Sequence, residues 1–161
     1  MLNWFRKKRG SGIIRKGKRH KVPMKPLDYS PKIILAWTKA IEGNEEIQNW
    51  LAENGFEELA VSIWALKLKQ DARDWLMENG YPHIMAMINA AEGNEPAREW
   101  LKTHNFILFY NMALAIDGEK EGYQWIQANS TPDIFLLTQA MKKLKDDIEE
   151  NHNDIHKFGT D

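Results

Sequence analysis

The sequence predicts an all-α protein: a right-handed α-solenoid of about four 25-residue helical hairpins plus a C-terminal capping helix, with a basic extended N-terminal arm. A Trp recurs every 25 residues and opens a near-copy of one phrase each time, which is typical of a repeat array. An Ala recurs at the same interval, ten residues ahead of each Trp or of the place where a fifth would stand. The two series are Trp50, Trp75, Trp100 and Trp125, and Ala40, Ala65, Ala90, Ala115 and Ala140.

Charge and periodicity divide the chain into three parts: a basic, largely irregular arm (1–30), a helical repeat domain (31–150) and a polar C-terminal tail (151–161). The first 27 residues carry ten basic groups and no acidic group. Residues 28–161 carry all 23 acidic groups and twelve basic ones, a formal charge of −11. Inside the repeat domain the predicted units are 33–57, 58–82, 83–107 and 108–132, with a half unit at 133–150.

The prolines at the end of the arm predict a stiff linker, because proline fixes the backbone angle φ. Pro23, Pro26 and Pro31 bracket this linker. We expect it to hold the arm away from the first helix.

Each unit begins with a short helix, helix A, whose apolar residues recur in steps of three and four and therefore share one face. The Ala series lies beside that face, where small side chains let two helices approach closely. Gly43, Gly93 and Gly118 end helix A, since Gly tolerates the left-handed conformation that follows a helix. Unit two has Leu68 and Lys69 at this point. This departure predicts a differently shaped turn.

The second half of each unit is helix B. Asn44 and Asn94 are good N-cap residues, and Pro96 falls in a first turn, where its missing N–H is harmless. The four Trp residues of the series come late in helix B. We expect them to form the structural core of the repeat by filling the seam between neighbouring hairpins. The alternative, a ladder of rings that stacks on a ligand, requires them to be exposed.

The last helix starts near Pro132 and continues into a polar stretch. Such a stretch is typical of the terminal cap that a solenoid needs, because the end unit has no neighbour.

The phrase that runs from helix B to glycine, such as Trp50–Gly55, resembles the second-helix segment of ankyrin-type repeats. The paired short helices are similar to those of HEAT-type solenoids. The period is shorter than in either family, and the Thr-Pro-Leu-His phrase of ankyrins is absent. The resemblance implies a protein-binding scaffold. It does not assign the chain to a named family.

No catalytic constellation is found in the sequence, so we expect neither an enzyme, nor a cofactor, nor a metal site. There is no Cys to supply a thiolate. The stretch Gly12–Lys18 approaches a phosphate-binding loop, but Arg19 stands where Ser or Thr is required. His152 and His156 have metal-ligand spacing. Two solvated histidines in a polar tail are the preferred explanation.

The candidate partner surface combines a Trp outside the repeated series with acidic side chains of the B helices. A solvated surface is the alternative explanation for the acidic side chains. The residues are Trp64, Glu46, Asp71, Asp74, Glu95 and Glu99.

The arm begins with large apolar and aromatic groups followed by a basic cluster, a pattern typical of attachment to an anionic membrane surface. No apolar run reaches the ~18 residues of a membrane-spanning helix. We therefore expect a cytoplasmic protein with peripheral attachment to the inner membrane face. An RNA- or ribosome-associated role, in which the arm binds phosphates, is the main alternative. A third is an arm that folds onto the acidic body or a neighbouring protomer. The arm residues are Leu2, Trp4, Phe5, Arg6, Lys7, Lys8, Arg9, Arg15, Lys16, Lys18, Arg19 and Lys21.

Overall fold

The computed structural model describes residues 23–157, with side chains to Asp154, and within that range the chain contains helices, turns and irregular segments but no strand. The prediction of an all-α protein is confirmed. The helices, numbered in chain order, are α1 Pro31–Ile41, α2 Glu45–Glu53, α3 Glu57–Leu66, α4 Gln70–Glu78, α5 Pro82–Ala91, α6 Glu95–Thr103, α7 Ile107–Ile116, α8 Lys120–Asn129 and α9 Pro132–Lys157.

Odd-numbered helices are the predicted A helices, and α2, α4, α6 and α8 are the B helices. The expected caps are present. Oδ1 of Asn44 accepts a hydrogen bond from the Ile47 N–H at 3.0 Å, and Oδ1 of Asn94 does the same for Ala97 at 2.8 Å. These bonds satisfy N–H groups that the first turn of a helix leaves without a partner.

The Ala series is buried along its whole length, from 0% exposure at Ala65 and Ala90 to 9% at Ala140. Its role in close approach is clearest between α7 and α8. A Cβ atom added to Gly122 of α8 would lie 2.5 Å from the backbone nitrogen of Ala115 in α7. Small residues on both helices are therefore needed for this contact.

The A helices form a ring. In chain order α1 contacts α3, α3 contacts α5, α5 contacts α7, α7 contacts α9, and α9 also packs against α1. Leu137 and Met141 of α9 are buried at 1% and 0% exposure. The first half of α9 thus completes the core between the two ends of the row of hairpins, which is more than the terminal cap expected from the sequence.

The second half of α9 extends past the C-terminal ends of the other A helices. Nζ of Lys145 lies 3.0 Å from Oδ1 of Asp117, directly after α7. The helix continues through residues 151–157, which the sequence assigned to a separate tail. This extension forms one wall of the groove described below.

Residues 23–30, hereafter the strap, have no regular secondary structure and contact the start of α3 and of α5. The N–H of Lys25 donates to the carbonyl oxygen of Gly80 at 2.9 Å. The carbonyl oxygen of Lys25 is in turn 2.7 Å from Nε2 of His83. The strap is therefore fixed to α5 through both backbone groups of one residue.

A second attachment lies four residues further on, where the strap meets α3. The hydroxyl of Tyr29 donates to Oε1 of Glu58 at 2.7 Å. The ring of Tyr29 packs edge-on against Trp37 and Phe56. The proline-bracketed linker is thus bound to the helical body along residues 25–29, whereas the arm that it was expected to hold away from the first helix lies outside the described residues.

Candidate interaction surfaces

An open groove of about 340 Å³ lies between the α3–α4 turn and the extension of α9. Leu66, Leu68 and Ile148 supply apolar atoms to its wall, and Glu92 and Lys145 supply charges. The other residues that line it are Glu149, His152 and Asn153. The groove thus joins the unusual turn of unit two to the longest helix of the described chain.

The unusual turn has the same shape as its counterparts, so the prediction of a different shape is wrong. The N–H groups of Leu68 and Lys69 donate to the carbonyl oxygens of Ala65 and Trp64. The corresponding residues of the other units make the same two bonds, for example Gly93 to Ala90. The turn therefore keeps the geometry of the other units although unit two lacks the glycine.

Leu68 consequently adopts a backbone conformation that suits glycine. Its φ is +64°, and Gly43, Gly93 and Gly118 have φ of +110°, +88° and +89° at the same place. A left-handed conformation costs a residue with a Cβ atom about 1–2 kcal/mol. Leu68 is also 51% exposed, so burial of its side chain does not offset this cost. Strain of this kind often occurs at functional sites.

Three neighbours of Leu68 also depart from the repeat. Trp64 is half-buried, and Nζ of Lys67 lies 5.1 Å from the centre of its ring. Lys69 stands at the N-cap of α4, where Asn44 and Asn94 cap their helices, and its side chain makes no capping hydrogen bond. Trp64, Lys67, Leu68 and Lys69 together are called the unit-two surface. It is basic and apolar, on a body that is acidic.

Two arginines fix the walls of the groove. Nη2 of Arg73 donates to the carbonyl oxygen of Ala65 at 3.0 Å, and the same guanidinium pairs with Glu92. Nε of Arg98 donates to the carbonyl oxygen of Ala90 at 3.2 Å.

The guanidinium of Arg98 pairs with acidic groups of the next unit. Its Nη2 lies 2.7 Å from Oδ2 of Asp117, and its Nη1 lies 2.8 Å from Oε1 of Glu119. Each arginine thus connects the end of one A helix to an acidic residue that directly follows the next A helix. This pairing was not predicted from the sequence, although the 19-residue spacing from Arg73 to Glu92 recurs from Arg98 to Asp117.

The Trp series lies at the border of the core. Trp50 is 45% exposed, so its assignment to the core is wrong. Trp75, Trp100 and Trp125 are half-buried and pack against the core. The fully buried column is the next residue of each unit, with 0% exposure at Leu51, Leu76 and Leu101 and 1% at Ile126. Adjacent helix positions differ by about 100°, so only one of the two can point inward.

Each of the first three Trp rings stacks on the aromatic residue that precedes the following A helix. The ring centres are 6.2 Å apart for Trp50 and Phe56, and 5.7 Å apart for Trp100 and Phe106. Trp75 and Tyr81 form the equivalent pair at 6.1 Å. In the first three units the Trp of the series thus packs on an aromatic ring of its own unit at the B–A turn, whereas the fourth unit has Thr131 at that position.

The acidic candidates are exposed and spread over three B helices. Glu46 lies on α2, Asp71 and Asp74 lie on α4, and Glu95 and Glu99 lie on α6. Several have partners within their own helix: Asp74 accepts from Gln70, Glu95 pairs with Arg98, and Glu99 pairs with Lys102. Trp64 lies on an A helix beside the groove. The predicted surface thus separates into a solvated acidic row and the unit-two surface.

Burial shifts the pKa of three groups where the strap meets the helical body. It raises the pKa of Tyr29, with a further rise from the hydrogen bond to Glu58. It raises the pKa of Tyr81 to about 12, again with a contribution from Glu58. It lowers the pKa of His83. Both phenols and the imidazole are therefore neutral at pH 7, as their hydrogen bonds require.

The arm residues Leu2 to Lys21 lie outside the described residues, as does the side chain of His156. Among the described residues no group of three or more His, Asp or Glu side chains could hold a metal ion. No helix in the described part of the chain is long and apolar enough to cross a membrane.

The chain matches no protein-family profile, no curated protein and no solved structure.

Proposed function

We propose that this protein is a non-catalytic helical-repeat scaffold that binds a protein partner through the groove and the unit-two surface. The observation that carries the proposal is Leu68, an apolar side chain held in solvent at a position whose backbone geometry favours glycine. The left-handed backbone conformation costs energy at Leu68, and no described contact explains why the position holds leucine and not glycine. Binding of a partner supplies a reason for it. The right-handed sense of the hairpin stack predicted from the sequence is part of this proposal.

The groove favours a short peptide segment with one bulky apolar residue followed or preceded by an acidic one. Leu66, Leu68 and Ile148 offer contacts for the apolar side chain. Lys67 and Lys69 are exposed beside it and would pair with the acidic one. Trp64 adds a half-buried ring. Trp is enriched among the residues that contribute most of the binding energy at interfaces.

A peptide library displayed on phage and selected on the full chain tests this site. We expect enriched peptides to share the apolar–acidic pattern and to lose at least tenfold in affinity on Leu68→Gly. Leu35→Ala is the matched control, because Leu35 is a similarly exposed leucine on α1. Peptides that lack the pattern, or that bind the Leu68→Gly variant as tightly as the original chain, would contradict the proposal.

For the arm we propose attachment to an anionic membrane surface, supported by the sequence of residues 1–27. Trp4 and Phe5 would lie at the lipid headgroups while the basic residues meet anionic lipids. Each basic residue near such a surface contributes about 1 kcal/mol. Binding to RNA is the second candidate, supported by the same basic residues.

Vesicles that contain anionic lipid distinguish the two roles. Membrane attachment predicts that Trp4→Ala and Phe5→Ala weaken vesicle binding even at high salt. Lys7→Ala serves as the control, since loss of one charge should matter only at low salt. Binding that follows only salt and the number of basic residues, with RNA as an equal competitor, would favour the RNA role.

A further inference from the structure

The start of α7 exposes apolar side chains at positions that are buried in α3 and α5. Phe109 is half-buried, whereas Leu59 and Ile84 at the equivalent positions are completely buried. Leu108 is also half-buried, whereas Glu58 and His83 at its equivalent position are 6% and 1% exposed.

Other apolar side chains in the first turns of α7 and α9 are also only partly buried. Ile107 is 37% exposed and Tyr110 is half-buried. Ile134 and Phe135, at the start of α9, are also half-buried. Ile107, Leu108, Phe109, Tyr110, Ile134 and Phe135 are called the α7–α9 face.

The strap explains the difference between the helices. It covers the start of α3 through Tyr29 and the start of α5 through Lys25. Followed towards the N-terminus, the strap therefore passes from α3 to the next A helix, α5, within four residues. Four residues span up to about 13 Å when extended. The next A helix in that direction is α7, and His83 beneath the strap already contacts Phe106 at its start, with ring centres 5.3 Å apart. The described chain begins at residue 23, before α7 is reached.

We propose that residues 1–22 bind in cis to the α7–α9 face and so extend the strap around the ring. The segment has the length for it, since four residues beyond Lys25 suffice to reach α7. It also has apolar side chains to cover the face, namely Ile13, Ile14 and Val22. Its nine basic and no acidic residues complement a body with a formal charge of −11. The proposal rests on neither the groove nor the membrane role, and it describes the chain in the absence of lipid, which would compete for the same basic residues.

Photo-crosslinking of the full chain in solution, without lipid or RNA, tests this arrangement. A benzophenone side chain is introduced at Ile107 on the α7–α9 face or, as control, at Leu35, which is 43% exposed on α1. We expect crosslinks from position 107 to residues 1–22 within one chain, at several times the yield from position 35. Replacing Ile13 and Ile14 by Ser should reduce that yield several-fold, with circular dichroism verifying that the body is folded.

Three results would overturn the proposal. Equal yields at the two positions would mean that the segment samples the surface without a site. Crosslinks from position 107 only to other parts of the chain would exclude residues 1–22 as the occupant. Crosslinked dimers whose yield rises with protein concentration would assign the α7–α9 face to a second copy. A failure of vesicle binding would leave all of these measurements unaffected.

Discussion

Nε2 of His83 lies 2.7 Å from the carbonyl oxygen of Lys25, 58 residues earlier in the chain. Nδ1 of the same ring accepts the N–H of Ile84 at 3.2 Å. The Nε2 atom must therefore carry the proton and donate, and the imidazole satisfies both bonds only in its neutral form. Protonation of the ring would leave the bond to Lys25 in place but would remove the Nδ1 lone pair that accepts from Ile84, so the two bonds together favour the neutral imidazole.

Acidification should weaken the protein through His83. Burial lowers the folded-state pKa below the unfolded value of about 6.5, so the contribution is fully present above that pH. As the pH falls below it, the unfolded state takes up a proton that the folded state does not, and the free energy of unfolding decreases. Denaturant titrations between pH 7.5 and pH 5 measure this.

The His83→Gln variant should lose much of that pH dependence, because Gln can still donate to Lys25 but does not titrate. His104→Gln is the control, since His104 is exposed and its ring bonds only within its own turn. An unchanged pH profile in the His83→Gln variant would show that other groups cause the dependence.

Gly122→Ala should destabilise the protein by about 1–3 kcal/mol, the usual cost of overpacking a tight interface. The new Cβ would meet the backbone of α7, which cannot give way as a flexible side chain would. Thermal and denaturant unfolding measure the effect. Gln127→Ala, at an exposed position of the same helix, should change the stability by no more than about 0.5 kcal/mol. A neutral Gly122→Ala would mean that α7 and α8 are further apart than described.

Leu101→Ala should cost more than Trp50→Ala, although Trp is the larger residue. Leu101 is completely buried, and such truncations cost about 2–5 kcal/mol. Trp50 is 45% exposed and stacks on Phe56, so its truncation leaves no enclosed cavity, and loss of the ring pair adds only about 0.5–1.5 kcal/mol to the lost burial. Equal losses in unfolding free energy would restore the Trp series to the core.

Leu68→Gly should stabilise the isolated protein by up to about 1 kcal/mol, because it removes the cost of a left-handed conformation and loses little buried area. The melting temperature should rise slightly. A matched change in the opposite sense, Gly93→Leu, should destabilise the protein because it introduces the same strain at φ +88°. A destabilised Leu68→Gly variant would show that Leu68 supports the fold itself, and the argument for a partner at this position would fail.

The sequence predicted what depends on short stretches of chain. Asn44 and Asn94 cap helices, Gly43 and Gly93 end them, and the Ala series is buried, because each of these properties follows from a few neighbouring residues. It did not predict which of two adjacent helix-B positions points inward. Trp50 and Leu51 are both apolar, and the choice depends on the angle between hairpins.

Contacts between distant parts of the chain could not be predicted from the repeat. The ring depends on small rotations that add up over four units until α9 meets α1, and no single unit contains that information. The strap depends on pairs such as Tyr29 and Glu58, which no periodicity relates. The groove could not be predicted either, since one of its walls belongs to unit two and the other to the second half of α9.

The contact between α1 and α9 also limits how this architecture can change. In an open row, one more hairpin lengthens the protein and leaves the existing interfaces intact. Here an inserted hairpin would have to separate α1 from α9 or widen the whole circle, so the circumference sets the number of units. Loss of α1 or of α9 would likewise expose the core beneath the other, and we expect these two helices to unfold together.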